Sequence, residues 1–91
     1  MEIYWEHTKQ GQKLVLNFED RDEMIGGVRK TKGGFDAFAK TFTMTPERAR
    51  KGLTTMDEAK GFVESFRPWE LFLGPTEISV EKETRPSDQL T

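Results

Sequence analysis

The chain has 91 residues, no cysteine, and 14 basic against 16 acidic side chains, for a net charge of −2. That length makes one domain with a core of modest size. The absent cysteine removes disulfides, thiolate metal sites and thiol nucleophiles, and apolar runs of at most three residues exclude a membrane-spanning helix.

The near-balanced charge disfavours a broadly basic nucleic-acid binder, although a local patch can outweigh the total. The opening segment MEIYWEHTKQ has neither the basic start nor the apolar run of a signal peptide. A cytoplasmic protein is therefore expected, in keeping with the lack of cysteine. Ten aromatic residues (seven Phe, two Trp, one Tyr) bring large apolar areas to a small interior.

In chain order, MEIYWEHTKQGQKLVLNFED reads as a β-hairpin. Ile3 and Trp5 alternate with Glu2, Tyr4 and Glu6, and Leu14, Leu16 and Phe18 alternate with Lys13, Val15 and Asn17. This is the period of two of a half-buried strand, and TKQGQ supplies the polar, glycine-containing turn. EDRDE, Glu19 to Glu23, reads as a solvated turn. The strand-compatible stretches MIGGVRKT and FDAFAKTFTM follow, joined at KGG. Gly33 and Gly34 are expected in that turn, and Gly26 and Gly27 at a bulge or a place of close packing. Phe35, Phe38 and Phe42 also fit a helical stripe, but the preceding glycines and the threonines around Phe42 favour a strand.

TPERARKG carries helix-end signals: Thr45 as N-cap, Pro46 at the first position, basic residues towards the end and Gly52 after it. A short helix near 46–51 is expected. In TTMDEAKGFVESFRP, Thr55 and Glu58 form a capping-box pattern. Met56, Ala59, Phe62, Val63 and Phe66 make one apolar stripe opposite Asp57, Glu58, Lys60 and Glu64, and Pro68 ends the helix. WELFLGP is expected to pack near the core, and TEISVEKE to form a last strand. The expected fold is α+β: an antiparallel meander of four to five strands with one main helix on one face, residues 1–83 forming the domain and 84–91 a disordered tail.

The chemistry motifs are absent. IGGVRKTKGGF contains two glycine pairs and Arg29, Lys30 and Lys32, but no Gly-Lys pair and no G-x-G-x-x-G array, so it fails as a phosphate loop. His7 is the sole histidine and has no thiolate partner, so no metal is expected. EDRDE lacks the spacing of a calcium loop. Ser65, Ser79 and Ser87 are isolated, and nothing in the sequence orients His7 as a base. No enzyme activity and no cofactor are therefore expected.

Two binding classes remain. The first is a non-enzymatic module acting through protein–protein contact or self-association, of the kind found among accessory proteins of viruses and mobile elements. Its surface would be drawn from FRPWELFLGP, with Arg67, Trp69 and Phe72 as candidate interface residues because Trp and Arg dominate interface energetics. The alternative is a nucleic-acid binder using a basic hairpin or an open sheet face, with Arg29, Lys30, Lys32 and Lys40 as contacts and aromatic residues stacking on unpaired bases.

Overall fold

The computed structural model describes residues 1–41, 48–75 and 77–86. The alternating segments form β1 (Glu2–His7), β2 (Gly11–Phe18), β3 (Arg21–Thr31) and β4 (Gly34–Ala39), followed by β5 (Ala49–Leu53). All neighbours are antiparallel, and the order β1-β2-β3-β4-β5 is a plain meander. Two helices follow, α1 (Met56–Ser65) and the single-turn α2 (Glu70–Leu73), which together make one bent cover on the sheet. The α+β architecture is the expected one.

Side-chain alternation decides which face the cover seals. Ile3 and Trp5 of β1, Leu14 and Leu16 of β2, Ile25 and Val28 of β3, and Ala37 and Ala39 of β4 pack in one core with Ala59, Val63 and Trp69. Burying a side chain the size of Leu14 or Ile25 contributes about 1.5–3 kcal/mol, so this layer supplies most of the stability. The helix stripe behaves as expected: Ala59 and Val63 are buried, while Met56, Phe62 and Phe66 are half-buried against the same cluster. Thr55 caps α1, its Oγ1 accepting the Glu58 N–H at 3.0 Å.

Gly26 explains how close the helix comes. A Cβ there would lie 2.5 Å from Val63 Cγ1 and 3.0 Å from the Phe38 carbonyl oxygen, so α1 rests almost on the backbone of β3. The bulge expected at the glycine pair is present: Leu14 pairs with Gly26 but Val15 with Met24, leaving Ile25 as the extra residue. The β2–β3 turn is tighter than EDRDE suggests. Glu19 and Asp20 alone form it, with φ of 51° and 61°, as a two-residue hairpin turn requires. Arg21, Asp22 and Glu23 already belong to β3.

Three expectations are corrected. Residues 46–51 were expected to be helical; 46 and 47 lie outside the described residues, and Ala49 to Lys51 belong to β5. TPERARKG has the capping signals of a helix but only Ala49 as an apolar residue, so a helix there would have no face to bury. As a strand it satisfies the outer backbone groups of β4 and places Leu53 in the core opposite Phe35. Gly52, with φ 73°, serves a bulge in that pairing and donates its N–H to Asp36 Oδ1 at 3.0 Å.

TEISVEKE was expected to be a last strand; its described part is not one, and β5 is the fifth strand instead. The segment does run along the outer edge of β1. Glu81 N–H donates to the Ile3 carbonyl and Arg85 N–H to the Trp5 carbonyl, each at 2.8 Å. Two residues of β1 are thus matched by four of the tail, a spacing no regular ladder sustains. Ile78 and Val80 still pack against the core, and the edge of β1 is covered against pairing with another chain.

The disordered tail expected over 84–91 does not include Arg85. Arg85 is pinned to β1 and also accepts the His7 N–H at 2.9 Å, while 87–91 lie outside the described residues. Phe42, the end of the expected fourth strand, lies outside them too.

Candidate nucleic-acid interface

The helices lie on one face of the sheet, and strand register fixes what stands on the other, the open face, where Tyr4 and Val15 are themselves buried. Opposite Tyr4 on β1 stands Val15 on β2, and opposite Val15 stands Met24 on β3. Farther along, Lys13 opposes Gly27, and Gly27 opposes Phe38; Phe38 in turn opposes Ala49. None of these residues belongs to the helix-side core.

This face divides by charge. At the β1 end, Glu2, Glu6 and Asp22 surround the Tyr4 hydroxyl. Burial, followed by the negative charges of Asp22 and Glu6, holds the Tyr4 phenol above its usual range. The Arg85 guanidinium lies over the Tyr4 ring, 3.8 Å from its centroid, and pairs with Glu81 at 2.6 Å and Glu2 at 3.2 Å. Those partners hold Arg85 firmly in its charged form.

A raised folded-state value means that native protein keeps the phenolic proton longer than the unfolded chain does. Stability from Tyr4 is thus fully present below about pH 10 and is lost as pH rises through the folded value. Because Tyr4 is the only tyrosine, phenolate absorbance reports it alone. We expect its midpoint above pH 10 in folded protein, with the unfolding midpoint temperature falling over the same range. A midpoint at or below the free phenol value would remove Tyr4 from this acidic, half-sealed setting.

The other end of the face is basic. Between β2 and β5 lies an open concavity of about 440 Å³ whose floor includes Met24, Gly27, Phe38 and Ala49. Among the described residues, four cations, Lys13, Arg29, Arg50 and Lys51, line it against one carboxylate, Asp36. Asp36 stands across from Arg29 in register, yet accepts the Gly52 N–H instead. Lys13 pairs with Glu6 at 3.3 Å, whereas Arg29, Arg50 and Lys51 have no ion pair among the described residues. Lys51 lies two residues beyond Ala49 and lines the concavity with it, and Arg50, in register with Ala37, sits at the sheet edge.

A second concavity, over the strand ends, shares Thr8, Gln10 and Arg29 with the first and adds Lys9 and Lys30. The two form one basic path that turns over the end of the sheet.

Of the four cations expected to contact nucleic acid, the structure brings Arg29 and Lys30 to this path. It does not align them as a stripe. Arg29 lies on the open face, while Lys30, in register with Phe35, lies on the helix side. Lys32 is exposed in the β3–β4 turn, and Lys40 is half-buried just beyond β4, its N–H donating to the Ile25 carbonyl at 2.9 Å. The sequence reading missed Lys13, Arg50, Lys51 and the Phe38 platform. ARKGL has no alternation that would reveal Lys51, and the helix-end signals concealed it further.

The residues expected at a protein interface are separated. A reversal at Arg67, with φ 49°, turns the chain so that Pro68 and Trp69 drop into the core. Trp69 is only 5% exposed, and its Nε1 has no hydrogen-bond partner among the described residues. Arg67 stays outside, paired with Glu70 and 6.0 Å from the Trp69 ring centroid. Phe72 is 40% exposed.

His7 is exposed at the end of β1. Among the described residues, no three His, Asp or Glu side chains come together as a metal site, and no helix is long and apolar enough to cross a membrane. No protein-family model, curated protein or solved structure matches this chain, so the open face itself must carry the functional reading.

Proposed function

We propose that the protein is a nucleic-acid-binding module that works through the basic half of its open sheet face. The observation that carries this reading is the concavity between β2 and β5, where, among the described residues, four cations meet one carboxylate and three of the cations lack an ion pair. Uncommitted guanidinium and ammonium groups around an apolar floor suit a ligand with regularly spaced negative charge and flat apolar parts. Glu2 and Asp22 stand at the β1 end, about Tyr4, so these two do not oppose a phosphate chain lying over β3 to β5.

This reading is preferred to protein contact through Arg67, Trp69 and Phe72, because the aromatic anchor of that surface is spent in the core. Of the earlier nucleic-acid candidates it keeps Arg29 and Lys30 and replaces Lys32 and Lys40 with Lys51 and Arg50.

The test is binding of a labelled oligonucleotide as salt is raised. Affinity should fall linearly in log–log form, with a slope set by about 0.7–0.9 counterions per phosphate neutralised. Three or four contacts would give a slope of roughly −2 to −4. No binding at low salt would overturn the reading.

A further inference from the structure

We infer, building on the nucleic-acid reading, that the site selects single strands by stacking an unpaired base on Phe38, and that Gly27 is the positioning residue that lays the Phe38 ring flat. Gly27 and Phe38 face each other across β3 and β4 on the open face. A Cβ added at Gly27 would lie 2.9 Å from Phe38 Cε1 and 3.3 Å from Cζ. The ring therefore folds down across the glycine, and any side chain there would prop it up.

Gly27 adopts no positive φ, so backbone freedom does not require glycine at this position. What requires it is the space the ring occupies. The outer edge of the Phe38 ring thereby reaches over Gly27, and Phe38 lines the concavity together with Met24 and Ala49. Arg29 and Lys51 stand on the same face. A flat aromatic ring with cations beside it offers one base a stacking surface and the adjoining phosphates a charge partner. In a duplex the bases are stacked on each other, so a duplex could use only the cations.

The probe is a thymidine oligonucleotide about 16 nucleotides long, the upper end of site sizes for small β-domains, compared with a duplex of the same length. Phe38→Leu keeps apolar bulk but removes the π-face. It should weaken single-strand binding by about 5- to 150-fold, the measured range for one stacked base. Duplex binding and the salt slope should not change. Phe38→Trp should retain the affinity, and Gly27→Ala should reproduce the Phe38→Leu loss with the slope again unchanged.

Phe38 lies outside the core cluster, so Phe38→Leu is expected to fold with an unaltered melting temperature. If Gly27→Ala melts early, Phe38→Leu and Phe38→Trp carry the test between them. Equal binding of single strand and duplex, with Phe38→Leu silent, would overturn this inference and leave the nucleic-acid reading standing. Failure of both probes to bind wild-type protein would overturn both readings, and so would equal competition by polyglutamate.

Discussion

Trp5→Ala is expected to destabilise the protein by about 3–5 kcal/mol, the range for truncating a large buried aromatic. Trp5 is 1% exposed at the centre of the core, and three further interactions depend on it. Its indole N–H donates to Glu64 Oε2 at 3.1 Å, tying β1 to α1 across the whole domain. Lys60 lies over the ring at 5.3 Å. The Lys60 ammonium in turn donates to Thr84 Oγ1 at 3.0 Å, and that hydroxyl donates to Gln12 Oε1 at 3.1 Å, which satisfies a buried polar side chain.

Alanine would leave a ring-sized void, strand the Glu64 carboxylate, and loosen the Lys60–Thr84–Gln12 chain. A domain of this size has roughly 5–14 kcal/mol in total, so a large part of the stability would go. Chemical denaturation followed by circular dichroism measures the loss, and Trp69 remains as a fluorescent reporter. Trp5→Phe separates the terms: it keeps most of the apolar area and should cost about 1–2 kcal/mol, mostly from the missing N–H donor. A Trp5→Ala cost below about 1 kcal/mol would mean that α1 does not seal this face.

The covering helix and the first two strands were legible in the sequence because each carries an unbroken period. The Met56–Phe66 stripe repeats at helical spacing over three turns, and the strand pairs Ile3/Trp5 and Leu14/Leu16 alternate without interruption. What could not be read depends on partners distant in the chain. ARKGL has no apolar alternation of its own; it becomes a strand because β4 needs an outer partner and Leu53 has a place opposite Phe35. TEISVEKE alternates well, yet only two of its described backbone N–H groups, counting that of Arg85 just beyond it, reach β1.

The site was half legible for the same reason. A cluster of cations in sequence, Arg29 with Lys30 and Lys32, suggests one patch, but adjacent strand residues point to opposite faces. The cation that joins Arg29 on the open face is Lys51, 22 positions later in the chain. Gly27 was marked for close packing from the sequence, but only the register with Phe38 shows that the packing partner is an aromatic ring on the open side. Trp69 shows the converse: residue type suggested an exposed anchor, and the turn at Arg67 put it inside.

The double variant Arg29→Glu with Lys51→Glu is expected to abolish high-affinity nucleic-acid binding while leaving the fold intact. Both side chains are exposed and have no ion pair among the described residues, so reversing them breaks no ion pair among those residues, and the melting temperature should move little. In the complex each would have neutralised a phosphate. Losing two such contacts should lower the magnitude of the salt slope by about 1.4 for a single strand, and the two new carboxylates add repulsion that costs at least about tenfold in affinity at low salt.

The control must change net charge equally. Arg21→Glu with Lys82→Glu does so, using exposed cations outside both concavities. If binding depends on the local field over β3 to β5, the control keeps its slope and most of its affinity, since charges farther away than about 8–10 Å are screened at physiological salt. Equal losses in the two double variants would mean that the ligand responds only to overall charge, and the open face would lose its claim to be the site. A loss confined to Arg29 and Lys51 would locate the phosphate path on the side of the sheet that α1 leaves bare, where the sequence alone had offered only one of the two cations.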